Sequence, residues 1–227
     1  MRSGDTSTHA GPWPCRHDAA AARRVGAVVS TQLLQLSALF GAFWTAIALY
    51  ARRSPSPAPA RFVGALGLGA VFAHLGWAAL HWPAVAAHPA ALLDPTRGLT
   101  LLFVPLGLLL LERSPAAFAS LPLAFAVARL GCLATGCCHG PEGEPTPLTE
   151  IAGLVALHGV VRRLPALWVT PTVLAGVGLI RLATEPLRAM PPLGEPLVPA
   201  SVIATAWIAG GGMLAMGSAR SPRAALG

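Results

Sequence analysis

The sequence predicts an all-α polytopic membrane bundle of about seven transmembrane helices, and three observations carry that prediction. Of 227 residues, 54% are hydrophobic and only 11% charged, with a mean hydropathy of +0.62, which is too apolar for a soluble domain of this size. The apolar residues fall into seven runs parted by arginine, proline and glycine. The +7 formal charge comes from sixteen arginines and no lysine, set mostly at the ends of those runs. Such a distribution speaks for topology and against nucleic-acid binding.

Residues 1–24 form a polar tail, expected to be disordered, with Pro12, Pro14, Cys15 and His17 and no apolar run that would make a signal peptide. Residues 25–217 form the transmembrane domain, and 218–227 a short tail. Val25 to Tyr50 is long enough at 1.5 Å per residue to cross about 30 Å of hydrocarbon and stops at Arg52-Arg53. After the Pro-rich loop from Ser54 to Pro59, Phe62 to Trp82 makes a second span, with His74 and His81 on one face. Pro83 to Gly98 reads as an irregular link because of His88-Pro89 and Asp94-Pro95. Leu99 to Leu111 and Pro115 to Cys132 follow, parted by Glu112-Arg113, and both need tilt or burial to span. A polar loop from Gly140 to Thr149 leads into a short fifth run ending at Arg162-Arg163. Trp168 to Thr184 or Leu187 is the sixth and Leu197 to Met216 the seventh.

Seven spans put the termini on opposite sides. With the N-terminus outside, the inner loops and C-terminal tail hold Arg52, Arg53, Arg61, Arg113, Arg162, Arg163, Arg220 and Arg223. The outer loops then hold Arg97 and Arg188, with four arginines in the N-terminal tail, so the positive-inside rule favours N-out and C-in. Residues 132–140 then lie at the outer face.

Most of the unusual chemistry sits between Ala128 and Gly140, where Arg129, Gly131, Cys132, Gly136, Cys137, Cys138, His139 and Gly140 follow a long apolar run. Arginine is costly in hydrocarbon unless it has a partner or lines a cavity. Arg181, Thr184, Glu185 and Arg188, spaced i, i+3, i+4 and i+7, share one helix face. In one reading Glu185 simply neutralises Arg181 while Arg188 reaches the interface. In the other, Arg129 and Arg181 converge as a forked receptor for a lipid phosphate. The spacing of Cys132, Cys137, Cys138 and His139 matches no zinc pattern, and neither metal nor cofactor is expected. A Cys132–Cys137 disulfide, simple packing, and a thiol nucleophile activated by His139 or Arg129 all remain open. His74 is a candidate general base or a packing residue, and Glu150 either orients a site group or is a favourable first-turn carboxylate.

These motifs resemble the bacterial prolipoprotein diacylglyceryl transferases over roughly residues 30 to 217. Arg129-x-Gly131 resembles the family signature, Arg181-Leu-Ala-Thr-Glu185-Pro-Leu-Arg188 its Arg-x-x-x-Glu-x-x-Arg segment, and Pro145-Thr-Pro-Leu-Thr-Glu150 its element ending in Leu-Tyr-Glu. The resemblance implies an enzyme of the bacterial inner membrane in lipoprotein biosynthesis. Such an enzyme moves a diacylglyceryl group from phosphatidylglycerol, or a similar anionic phospholipid, to the lipobox cysteine of a prolipoprotein or another thiol. Arg129 and Arg181 would bind the phosphate, with Gly131, Glu185, Arg188 and Arg97 beside the substrate and Glu150 supporting the site. The chain departs from the family where Cys132 replaces an asparagine, where Thr96-Arg97-Gly98-Leu99 stands for a His-Gly-Gly element, and where Val177 replaces a tyrosine. Two other functions compete: a transporter or sensor of sulfur species built on the cysteines, and a non-catalytic homologue.

Overall fold

The computed structural model describes residues 21–55, 58–93, 101–135, 146–187 and 200–219, and among them every regular element is helical. Eight α-helices follow one another: α1 (Ala21–Arg53), α2 (Pro59–Leu80), α3 (Trp82–Ala87), α4 (Val104–Leu111), α5 (Pro115–Thr135), α6 (Thr146–Val161), α7 (Ala166–Thr184) and α8 (Ala200–Ala219). Four stretches are long and apolar enough to cross a membrane: Thr31–Arg53, Pro59–Leu80, Pro115–Thr135 and Ala166–Leu187. Leu101–Leu111, Thr146–Val161 and Ser201–Gly217 are apolar but shorter. Each apolar run expected from the sequence is therefore helical over its described residues, and four have the length of a span.

The link after α2 differs from the expected irregular loop. Its first part is helical, as α3 and a 3₁₀ turn over Pro89–Leu93, because Pro83 and Pro89 each fall in a first turn, where a missing N–H costs nothing. Alanines fill much of the remainder and favour helix. Boundaries elsewhere follow local chemistry. Pro59 opens α2 at its first position. Ser114 caps α5: its Oγ accepts from Ala117 N at 3.3 Å, Pro115 follows at the first helical position, and Glu112 Oε1 accepts from Ser114 N at 3.3 Å. Thr146 Oγ1 donates to Leu187 O at 2.9 Å, tying the start of α6 to the 3₁₀ turn Glu185–Leu187 that ends α7.

Helix α5 is the axis of the bundle. It packs against α1, α6 and α7, and its long buried face includes Phe118, Leu121, Pro122 and Phe125. Glycines set the closest approaches. Gly131 of α5 meets Ala38 and Gln35 of α1, and Gly41 of α1 meets Val127, so the two helices run antiparallel. Gly69 of α2 and Gly107 of α4 bring two backbones together, and Gly178 and Gly211 do the same for α7 and α8. Small residues allow such approach where no water drives helices together. Leu33, Phe40 and Trp44 of α1, Leu75 of α2 and Met213 of α8 face outward, as side chains in contact with lipid would.

One end of the bundle gathers arginines. Arg61 donates to Leu111 O and lies 3.7 Å from Glu112 Oε2, joining the start of α2 to the end of α4. Arg53, at the end of α1, and Arg162, just past the end of α6, lie close enough for their like charges to repel. Arg52, Arg113 and Arg163 belong to the same end by sequence. At the opposite end Gln35 Nε2 meets Thr135 Oγ1 at 3.5 Å, and Thr146 meets Leu187. The charged cluster described next lies toward this second end.

Candidate active site

Three helices each bring one charged residue to a common point. Arg129 sits near the end of α5, Glu150 in the opening turns of α6 and Arg181 in the last turn of α7. Glu150 is 3% exposed, and its carboxylate bridges the two cations: Arg129 Nε lies 2.7 Å from Oε2, and Arg181 Nη1 lies 3.3 Å from Oε1. The hydroxyl of Thr184, one turn beyond Arg181, lies 3.1 Å from Oε1, 2.9 Å from Ile180 O and 3.2 Å from Arg181 O, so its single proton is shared between the carboxylate and the helix's own carbonyls. Arg181 Nη2 is held in turn by Glu185 Oε2 at 2.7 Å, an i, i+4 pair on the same face. Two cations and two carboxylates cancel, which is how ionised groups are kept at depth. Removing one partner of so buried a pair costs roughly 3–5 kcal/mol.

Arg129, Glu150 and Arg181 line a small cavity together with Leu101, Leu102, Phe125, Leu154, Val177 and Ile180. The helical period explains its layering. Phe125 is four residues before Arg129, Leu154 four after Glu150, and Val177 four before Arg181, each one turn toward the arginine-rich end. A polar ring therefore rests on an apolar one. Leu101 and Leu102 close the side from the 3₁₀ turn Leu101–Phe103, whose position is held by Trp207 of α8, donating Nε1–H to Leu102 O at 2.8 Å.

Of the residues expected at a site, the fold brings together Arg129, Glu150, Arg181, Glu185 and Cys132, whose sulfur lies 3.7 Å from Arg129 Nη1 one turn on. Gly131 faces α1 and serves helix packing. His74 lies elsewhere: its Nε2 is 3.0 Å from Leu92 O, its ring stacks on Trp77, and it does not line the cavity. Arg97, Arg188, Cys137, Cys138 and His139 lie outside the described residues, as does any Cys132–Cys137 disulfide. No group of three His, Cys, Asp or Glu side chains among the described residues is placed to hold a metal. The structure adds Thr184 and the apolar ring. Thr184 is legible as the third residue after Arg181, and the ring as the neighbours one turn from each charge. The wall from Leu101 and Leu102 has no such signal, because it depends on how α4 packs on α2.

No protein family matches the chain, and no curated protein or solved structure matches it either.

Proposed function

We propose that this chain is a membrane transferase that takes the diacylglyceryl group of phosphatidylglycerol, or a similar anionic phospholipid, and places it on a thiol such as a prolipoprotein lipobox cysteine. The supporting observation is the convergence of Arg129 and Arg181, from different helices, on Glu150 beside a small cavity whose other lining residues are apolar. In the transfer the thiol sulfur bonds to the glyceryl carbon, and the carbon–oxygen bond to phosphate breaks. Glycerol phosphate departs with that electron pair and takes up the thiol's proton. Charge grows on the phosphate as it leaves, and two guanidiniums aimed at it stabilise that growth in a place where water does not screen them. The reading includes seven spans with the N-terminus outside, which sets the arginine-rich end in the cytoplasm of a bacterial inner membrane and the cavity toward the outer leaflet.

The test is to give the purified protein labelled phosphatidylglycerol and a lipobox peptide, and to follow glycerol phosphate release and peptide lipidation together. Both are expected, and both should be lost in Arg181→Ala with the protein still monodisperse. Transfer that survives Arg181→Ala would sink the proposal. A sulfur-species transporter or sensor draws on one observation, the Arg129 contact to Cys132. On that reading Cys132→Ser would be the more damaging change and Arg181→Ala the milder one.

A further inference from the structure

Glu150 does more than neutralise. Its two oxygens each take one arginine, Oε2 from α5 and Oε1 from α7, which is the arrangement two oxygens of a phosphate would adopt between the same guanidiniums. The carboxylate is the fifth residue of the 16-residue helix α6, past its first turn, so what holds it is the pair of guanidiniums rather than the helix end. It faces the cavity, and the other charged side chains lining that space are the two arginines. An anion entering there meets a cluster that already sums to zero among the described residues, so it must compete with a carboxylate for the same N–H groups. We infer that Glu150 is a built-in surrogate anion, holding Arg129 and Arg181 in register until a phosphate group displaces it. This rests on the phosphate-binding part of the proposed function and assigns Glu150 a positioning role in which it opposes ligand binding.

The consequence runs against the usual expectation for a buried acid. Glu150→Gln keeps the shape, loses the competing charge and leaves two buried cations short of one partner. The variant should melt below wild type without anion and recover when anion is supplied, since a ligand bound only to the folded state stabilises it by mass action. The experiment follows thermal unfolding of the full chain in detergent for wild type, Glu150→Gln and Glu185→Gln. Each is titrated with glycerol 1-phosphate and with short-chain phosphatidylglycerol, with sodium chloride matched for ionic strength.

The expected result is an apparent dissociation constant for the phosphate compound about tenfold or more lower in Glu150→Gln than in wild type (a tenfold change being roughly 1.4 kcal/mol). Glu185→Gln, which among the described residues loses an ion pair to Arg181 and none to Arg129, should gain less. Rescue by both compounds marks the phosphate as the group recognised, and rescue by the lipid alone marks the esterified headgroup. Either supports the inference. Weaker binding by Glu150→Gln, rescue by chloride to the same degree, or absence of folded Glu150→Gln at every anion concentration overturns it. The two readings separate cleanly. Tighter binding without transfer in wild type keeps the surrogate and discards the transferase, whereas transfer in wild type with weaker binding in Glu150→Gln does the reverse.

Discussion

A lysine at position 129 would carry the same charge as Arg129 but could not make the same contacts. The arginine uses Nε toward Glu150 and Nη1 toward Cys132, two directions fixed by one planar group, and an ammonium offers a single point instead. Arg129→Lys should therefore stay folded and bind the phospholipid, yet lose about 10²-fold or more in turnover, as when one preorganised donor is removed from a developing oxyanion. Initial rates against phosphatidylglycerol concentration would show this as a fall in kcat with a smaller change in KM, and unchanged kcat would contradict it. At this scale much of the site was legible. Arg129, Arg181 and Glu185 announced themselves as charges in apolar runs, and Thr184 shared their face. That Glu150 would lie between the arginines was not legible, because it depends on α6 and α7 packing across a separation of some thirty residues, which helical periodicity does not encode. His74 shows the converse: a histidine in a span looks reactive in sequence, while its place is settled by the Leu92 carbonyl and the Trp77 ring.

The pairing of α2 with α4 shows how an element far from the chemistry sets the cavity wall. A Cβ added at Gly107 would come within 2.3 Å of Ala65 O and 2.4 Å of Gly69 N, both backbone atoms that cannot rotate away. At Gly67 on the same pair's outer side it would meet nothing within 4 Å. Gly107→Ala should then destabilise by about 1–3 kcal/mol through forced separation of the helices. Gly67→Ala should be neutral or stabilising by under about 1 kcal/mol, from helix propensity alone. Unfolding in detergent compares them directly, and equal effects would show that the contact does not matter. Gly107→Ala should also lower activity, since α4 carries the Leu101–Leu102 wall at its start. The existence and order of helices were readable from apolar runs and terminal arginines. Their lengths are less so, and α3 is not legible because a proline that opens a turn looks in sequence like one that breaks a helix.

At the scale of the whole molecule, the described charged side chains divide in two: a neutral quartet inside and an arginine-rich end. If that end is cytoplasmic, single cysteines placed at Ala58 and at Ala134, after Cys15, Cys132, Cys137 and Cys138 are changed to serine, should behave oppositely. Ala58→Cys should react with a membrane-impermeant maleimide only in inverted vesicles, and Ala134→Cys only in right-side-out ones. The reverse pattern would overturn the orientation and place the cavity toward the cytoplasm. Bundle architecture of this kind is only half written in sequence, because composition gives the number of apolar runs and leaves their partners open. Helix α1 makes the point, since its main neighbour is α5 and it touches α2 far less. In biosynthesis α1 emerges before α2, α3 and α4, and all three are made before α5 exists to receive it. Until then it lacks its main partner, which fits an apolar stretch, Thr31–Arg53, of mean hydropathy 1.6 that stays mostly unburied in the finished protein. The seam between α1 and α5 thus closes late, and the cavity on α5 is completed only once α6 and α7 have followed.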